Sequence, residues 1–371
     1  MSRGLLTVIS LAVGLVAAVL AVAILIPGDE DPAAPASEKP ATHERAPATG
    51  RDDTGRDDTG RDEFLSGFNL TAYTKAGYAR PEVEDDLARL KELGSNTVVL
   101  VPTWYMKRGD SNRVIPDPAK TPDDAGLSQT LASARESGLK VMVKPHVDVL
   151  DGTFRGDIQP SDRVAWFRSY GRFIDRYAKI AAAGDAEFFS IGTELKSLSS
   201  EKDAWDSVID SARSRFGGEL TYSANWDEIW QVQFWDRLDM IGVDAYFPLS
   251  QEGEKPTPGS LASAWQPNVD GLGSLSDQWN LPVLLTEIGY PSQTGSTAHP
   301  WEVRDGDPAD QNLQAMAYRA AYDAFAGKSW LRGILWWSWR ADSKTDERLE
   351  LDYTPEGKRA ESVFSSGADG P

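Results

Sequence analysis

Two apolar segments of this chain each end on a glutamate. Phe188-Phe189-Ser190-Ile191-Gly192-Thr193 runs into Glu194, and Pro282-Val283-Leu284-Leu285-Thr286 runs into Glu287. An ionised carboxylate at the end of a buried strand is expensive unless it does something there. One such glutamate is equally well explained as a salt-bridge partner; a pair flanked by aromatic residues is harder to explain that way. Two carboxylates facing one another across a cleft are what cleavage of a glycosidic bond needs. One stays protonated to supply the leaving oxygen, and the other stays ionised to attack the anomeric carbon. Aromatic rings complete a sugar site, because the C–H face of a pyranose stacks on an indole. The chain holds thirteen tryptophans, all between Trp104 and Trp339. Trp104, Trp226 and the cluster Trp336-Trp337-Ser338-Trp339 stand at candidate strand ends. Strand alternation puts Trp337 and Trp339 on one face and Trp336 on the other.

The elements that would position these groups alternate along the chain. Short Val-, Ile- and Leu-rich runs without strict polar alternation read as strands covered on both faces at 64–70, 96–102, 140–147, 188–194, 220–226, 240–246, 282–287 and 333–339. Helical stretches fall at 81–93, 123–137, 161–182, 201–215, 258–279 and 309–327, the first ending at Gly94. Eight strands alternating with helices predict an α/β chain closed as a (β/α)8 TIM barrel spanning 64–366. The open doubly wound sheet would carry a glycine-rich loop after its first strand, and Gly67-Phe68-Asn69-Leu70 offers none. In a barrel, chemistry sits at the C-terminal strand ends. Those ends supply Asn69, Trp104, His146, Asp148, Asn225, Trp226, Asp244, Tyr246, Trp337 and Trp339 beside the glutamates. Glu194 ends the fourth strand and Glu287 the seventh, so they face each other across the mouth.

Composition narrows the chemistry. The net charge of −19 repels nucleic acid and anionic headgroups. With no cysteine and only three histidines, thiolate zinc sites, iron–sulfur clusters and imidazole-rich metal sites are excluded or disfavoured. No metal or cofactor is expected. A metallohydrolase built on His146, Asp148 and Asp244 is the weaker competing reading. At the N-terminus, Leu5–Ile26 is an uncharged apolar stretch of 22 residues preceded by Arg3. That length suits a transmembrane anchor over 1–27 better than a cleaved signal peptide, although Ala34-Pro35-Ala36 would permit cleavage. With Arg3 inside, the remainder lies outside the cytoplasm, tethered at the cell surface or, after cleavage, secreted. Residues 28–63 hold no aromatic residue and repeat Arg-Asp-Asp-Thr-Gly, the composition of a disordered stalk. The repeat lacks the ligand spacing of a calcium loop. The membrane is thus met only through the first helix, and the barrel is expected as a monomer acting on a polysaccharide or oligosaccharide.

The motifs Gly67-Phe68-Asn69, Lys144-Pro145-His146, Ile191-Gly192-Thr193-Glu194-Leu195-Lys196, Asn225-Trp226, Asp244-Ala245-Tyr246-Phe247, Thr286-Glu287-Ile288-Gly289-Tyr290 and Trp336-Trp337-Ser338-Trp339 resemble those of the clan A retaining glycoside hydrolases. Within that clan they are most similar to glycoside hydrolase family 113, the β-1,4-mannanases. The resemblance runs from about Gly67 to Asp342 and leaves out the anchor and stalk. It implies Glu194 as acid/base, Glu287 as nucleophile and Tyr246 as hydrogen-bond donor to the nucleophile. One residue departs from the pattern: much of the clan has Asn before the acid/base, contacting the sugar 2-hydroxyl, where this chain has Thr193. The implied activity is endo-acting hydrolysis of β-1,4-mannan with retention. A β-1,4-glucanase or xylanase is the competing enzyme, and a non-catalytic polysaccharide-binding barrel the competing class. Because 28–63 contributes nothing to a core, a chain starting near residue 60 should be soluble and as active as the full chain. Misfolding of that truncation, measured by circular dichroism beside the intact protein, would place the boundary elsewhere.

Overall fold

The computed structural model describes residues 63–342 and 350–370. The anchor expected over 1–27 and all of the stalk but Glu63 lie outside the described residues. Among the described residues no helix is long and apolar enough to cross a membrane.

Among the described residues ten strands and seven α-helices follow in order: β1 (Leu65–Thr71), α1 (Glu82–Glu92), β2 (Thr97–Val101), β3 (Thr103–Met106), α2 (Asp124–Glu136), β4 (Lys140–Val143), β5 (His146–Val149), α3 (Arg163–Ala183) and β6 (Phe188–Thr193). Then come α4 (Lys202–Arg215), β7 (Glu219–Asn225), β8 (Ile241–Asp244), α5 (Pro258–Trp279), β9 (Val283–Glu287), α6 (Gln311–Phe325), β10 (Leu331–Arg340) and α7 (Arg359–Gly367). Eight strands close a parallel barrel in the order β1-β2-β4-β6-β7-β8-β9-β10, with β10 returning to β1. All eight expected strands are barrel strands, and all six expected helices are present; α7 is additional. Between β7 and β8 stands only a short 3-10 turn, Trp235–Arg237. Aspartates open three of the helices, Asp123, Asp162 and Asp310 each accepting a backbone N–H of the first turn. Gly94, at φ +97°, ends α1 in the left-handed conformation that its missing Cβ permits.

The expected strand 140–147 is cut in two, and the expected strand 96–102 stops before its last residue with a further strand beyond it. Pro102 and Pro145 have no N–H to give to a ladder. The barrel ladder therefore stops at Val101 and Val143, and the chain resumes beyond each proline as a separate parallel pair, β3 with β5. Thr103 lies opposite His146 in that pair, so the break carries the third-strand residues out over the barrel mouth.

The core has two layers. Leu65, Val99, Val101, Met142, Phe188, Met240, Leu284 and Leu335 fill the barrel interior, with Trp337 resting on them. A larger apolar layer, including Trp336 and Trp339, lies between the sheet and its helices.

Three strand pairings skip a residue near the mouth. Along β6–β7 the skip falls between Ser190 and Thr193, along β8–β9 it passes over Thr286, and along β10–β1 it passes over Ser338. A skip of one residue exchanges the two faces beyond it. Trp339 is thereby turned outward, away from Trp337. It is fully buried, donates Nε1 to Asp86 Oδ1 at 2.9 Å and packs edge-on against Phe68. The expectation that Trp337 and Trp339 share the substrate face is corrected. Trp337→Ala should therefore impair polysaccharide turnover and leave the fold largely intact. Trp339→Ala should lower stability by roughly 3–5 kcal/mol, as deletion of a buried indole does. Denaturant midpoints of the two variants check this, and equal stability of both would overturn the assignment of faces.

Candidate active site

Glu194 stands one residue beyond β6 with φ +54°, a left-handed conformation that is strained for a residue with a Cβ. Strain of this kind amounts to roughly 1–3 kcal/mol and persists only where the surroundings impose it. Here they do. Glu194 N–H donates to Ser223 O at 2.8 Å, and Leu195 N–H donates to the Tyr222 hydroxyl at 2.8 Å. That hydroxyl in turn donates to Glu228 Oε1 at 2.5 Å, while Glu228 Oε2 accepts from Asn225 N–H at 3.1 Å. A buried carboxyl thus ties together the chain leaving β6 and the chain leaving β7.

Glu287 ends β9, just past the skipped Thr286, and is 3% exposed. Lys144, with no exposed surface, donates Nζ to Glu287 Oε1. His146 Nε2 is 3.3 Å from the same oxygen, and the Tyr246 hydroxyl donates to Oε2 at 2.7 Å. Lys144 also lies 3.6 Å from Asp244 Oδ1, which accepts from Thr286 Oγ1 at 2.8 Å. Glu194 has a different partner. Arg155, on the segment between β5 and α3, donates Nη1 to Glu194 Oε2 at 2.7 Å and Nη2 to Asp148 Oδ1 at 2.6 Å.

These surroundings drive the two carboxyls apart. Burial dominates at Glu194, and with the nearby Glu287 charge it outweighs Arg155, raising the carboxyl to about 7. Burial acts the same way on Glu287, but Lys144 foremost, and then His146, more than reverse it and bring the group down to about 2. His146 is itself lowered to about 4, by burial first and then by Lys144 and Arg155, so the imidazole is neutral at pH 7. Asp244 is held well above the usual carboxylate range by burial and by the charge on Glu287. At neutral pH one member of the pair is a carboxylate and the other is poised to hold a proton, the arrangement needed to donate a proton and attack an electrophilic carbon at once.

Both glutamates open onto a cleft of about 580 Å³ at the C-terminal end of the barrel. Of the residues expected at the site, Glu194, Glu287, Asn225, Trp226, Tyr246 and Trp337 line it. Trp337 stacks on His146, their planes within 5° and centroids 5.6 Å apart. Trp226 stacks against Trp301 at 6.3 Å.

Four other expectations are corrected alongside Trp339. Trp104 points toward the helices, donating Nε1 to the Tyr177 hydroxyl at 3.0 Å and packing on Phe173. Asn69 is fully buried and donates Nδ2 to Thr286 O and Trp336 O, joining β1 to its neighbours. Asp244 and His146 lie around Glu287 and do not line the cleft. His146, Asp148 and Asp244 each go to a different partner, so they do not converge as metal ligands. No cluster of three or more metal-ligating side chains occurs among the described residues.

Sequence reading gave no site role to Lys144, Arg155, Phe154, Trp301 and Tyr353. Lys144 left a signal, a cation inside an otherwise apolar run. The others lie on loops without periodicity. Thr193, in the position where much of the clan has Asn, turns its hydroxyl to Pro145 O at 3.4 Å and is 2% exposed.

Comparison with known proteins bears directly on this geometry. The model of Glycoside Hydrolase Family 113 matches residues 67–358. The structure is similar to the GH113 β-mannanase AaManA from Alicyclobacillus acidocaldarius, solved in complex with ManMIm. The TM-score is 0.75 at 27% identity, over 82% of this chain and 97% of that one. It is similar also to a GH113 β-1,4-mannanase solved as a complex, with TM-score 0.75 and 26% identity over 82% of this chain and 98% of that one. A GH5_18 structure from Bifidobacterium longum, at 14% identity and TM-score 0.54 over 82% of this chain and 78% of that one, shares the fold. A search of curated proteins finds no match. A family match that takes in most of the chain, with both cleft glutamates inside it, places this protein in Glycoside Hydrolase Family 113 and makes it a glycoside hydrolase.

Proposed function

We propose that the enzyme is a retaining, endo-acting β-1,4-mannanase in which Glu194 is the acid/base and Glu287 the nucleophile. The observation that carries this reading is the opposed environment of the two carboxyls: Lys144, Tyr246 and His146 around Glu287, and burial beside a single cation at Glu194. In the first step Glu194 gives its proton to the glycosidic oxygen as the Glu287 carboxylate attacks the anomeric carbon, forming a glycosyl ester and releasing one end of the chain. In the second, Glu194 takes a proton from water, which opens the ester and regenerates Glu287. The Tyr246 hydroxyl orients Glu287 and limits its charge as the ester forms. Trp337, Trp226 and Trp301 offer indole faces for sugar rings along the cleft. Mannan as substrate is supported by the family and by the two β-mannanases that the structure is similar to. With the apolar stretch Leu5–Ile26 as anchor and 28–63 as spacer, the barrel would act outside the cell, at its surface.

Replacing each glutamate separates the roles. Glu287→Ala should abolish hydrolysis of mannan and of activated aryl mannosides alike, since both half-reactions need the nucleophile. Glu194→Ala should lose mannan hydrolysis but still form the ester from an aryl mannoside whose leaving group needs no proton. Azide should then accelerate its turnover and give the β-mannosyl azide. Rescue of the Glu287 variant to an α-azide, with none at Glu194, would exchange the two roles. Reducing ends released from mannan, glucomannan, cellulose and xylan test the substrate: mannan should be preferred. Preference for cellulose or xylan would move the enzyme within its clan, and no hydrolysis of any of them would favour a binding barrel.

A further inference from the structure

Arg155 is the cation that touches the acid/base, and it faces two carboxylates at once. Its Nη1 meets Glu194 Oε2 at 2.7 Å, its Nη2 meets Asp148 Oδ1 at 2.6 Å, and its Nε donates to Val147 O at 2.9 Å. Three bonds in different directions leave the guanidinium one position. The segment that carries it is fastened to the chain following Glu194, where Ser197 N–H donates to Gly156 O at 3.0 Å and the Ser197 hydroxyl donates to Ile158 O at 2.6 Å. A Cβ on Gly156 would meet the Phe154 ring at 2.5 Å and Glu194 O at 3.3 Å, so the segment passes close against the chain at Glu194. Asp148 is about one-third exposed, whereas Glu194 is nearly buried.

A cation beside a catalytic acid pulls two ways. It stabilises the carboxylate left behind once the proton has gone, and it also empties the acid before substrate arrives. A second carboxylate on the same guanidinium moderates that pull. We propose that the Arg155–Asp148 pair is the positioning device that sets how tightly Glu194 holds its proton, Arg155 favouring the carboxylate and Asp148 limiting that preference. The catalytic meaning of this pair rests on Glu194 being the acid/base; the charge coupling itself does not.

The other groups coupled to Glu194 come from every side of the mouth. Glu287 of β9 opposes its ionisation and Lys144 beyond β4 favours it, while the charge of Glu194 in turn opposes ionisation of Asp244 of β8, Glu228 beyond β7 and the Tyr353 phenol. Lys144 is taken up by Glu287, which leaves Arg155 as the cation in hydrogen-bond contact with Glu194.

The test is a carbon-13 titration of the Glu194 carboxyl in the full chain without substrate, the signal being identified by its loss in Glu194→Gln. Arg155→Met should move the Glu194 midpoint up by about one unit or more, a tenfold or greater gain in proton affinity. Asp148→Asn should move it down, and Arg155→Lys, which keeps the charge and loses the fork, should fall between Met and the native residue. Unchanged midpoints, or shifts of Arg155→Met and Asp148→Asn in the same direction, would overturn the proposal. Should Arg155→Met prove unfolded by circular dichroism, Asp148→Asn decides alone, and any result but a downward shift overturns it. The alkaline limb of kcat/KM on mannan should follow each midpoint. A carboxyl that shifts while the limb stays would uphold the charge pair and defeat the reading of Glu194 as the acid, so the two failures are distinguishable.

Discussion

The buried ion pair between Lys144 and Glu287 is the constraint on which the rest of the site depends. Neither side chain is more than a few per cent exposed. An isolated ion in such a place loses several kcal/mol of hydration, and only a close counter-charge with further hydrogen bonds offsets that loss. The barrel provides these from four strand ends: Lys144 beyond β4, His146 on β5, Tyr246 beyond β8 and Glu287 on β9. Asp244, sharing the same lysine, is pushed toward its neutral form, so the cluster does not gather two full negative charges on one cation. Glu194, on the opposite wall with Arg155, feels the negative charge of Glu287 and keeps its proton more readily. The opposed protonation tendencies of the two glutamates follow from which one holds the lysine.

Delivering those groups requires departures from strand regularity. A parallel barrel whose strands alternate perfectly would carry its apolar inner layer straight up to the mouth. Instead β6, β9 and β10 each skip a residue near their C-terminal ends, and β2 and β4 end before Pro102 and Pro145. The departures re-aim side chains: Glu287 toward the lysine, Trp339 outward onto Phe68, and His146 to a buried place beside Glu287. Bulges and proline breaks weaken a ladder locally, so they are tolerated where pairing ends in any case. The same places become the site.

This explains what the sequence could and could not reveal. The eight apolar runs, and the two that end in glutamate, are local patterns visible to a reader counting residues. Asn225, Trp226 and Tyr246 lie close enough to regular strand ends that the count still holds. Trp339 does not, because a period of two cannot register the skip at Ser338, and every residue beyond it changes face. Trp104 sits beyond the proline break and belongs to the packing against α3. Lys144 was visible as a charge in an apolar run, but its partner was not, since 143 residues separate it from Glu287. Arg155, Trp301 and Tyr353 come from loops whose positions are set only by tertiary contact, and no periodicity announces them.

The central claim is that Glu287 is the ionised nucleophile because of the charge cluster around it, and covalent trapping tests this most directly. Incubation with a 2-deoxy-2-fluoro-mannosyl fluoride, followed by peptic digestion and mass spectrometry, reads which carboxyl carries the sugar. The 2-fluoro group slows both steps and the fluoride leaving group restores the first, so a glycosyl ester should accumulate. The account predicts a single modified peptide containing Glu287. A sugar found on Glu194 would contradict it.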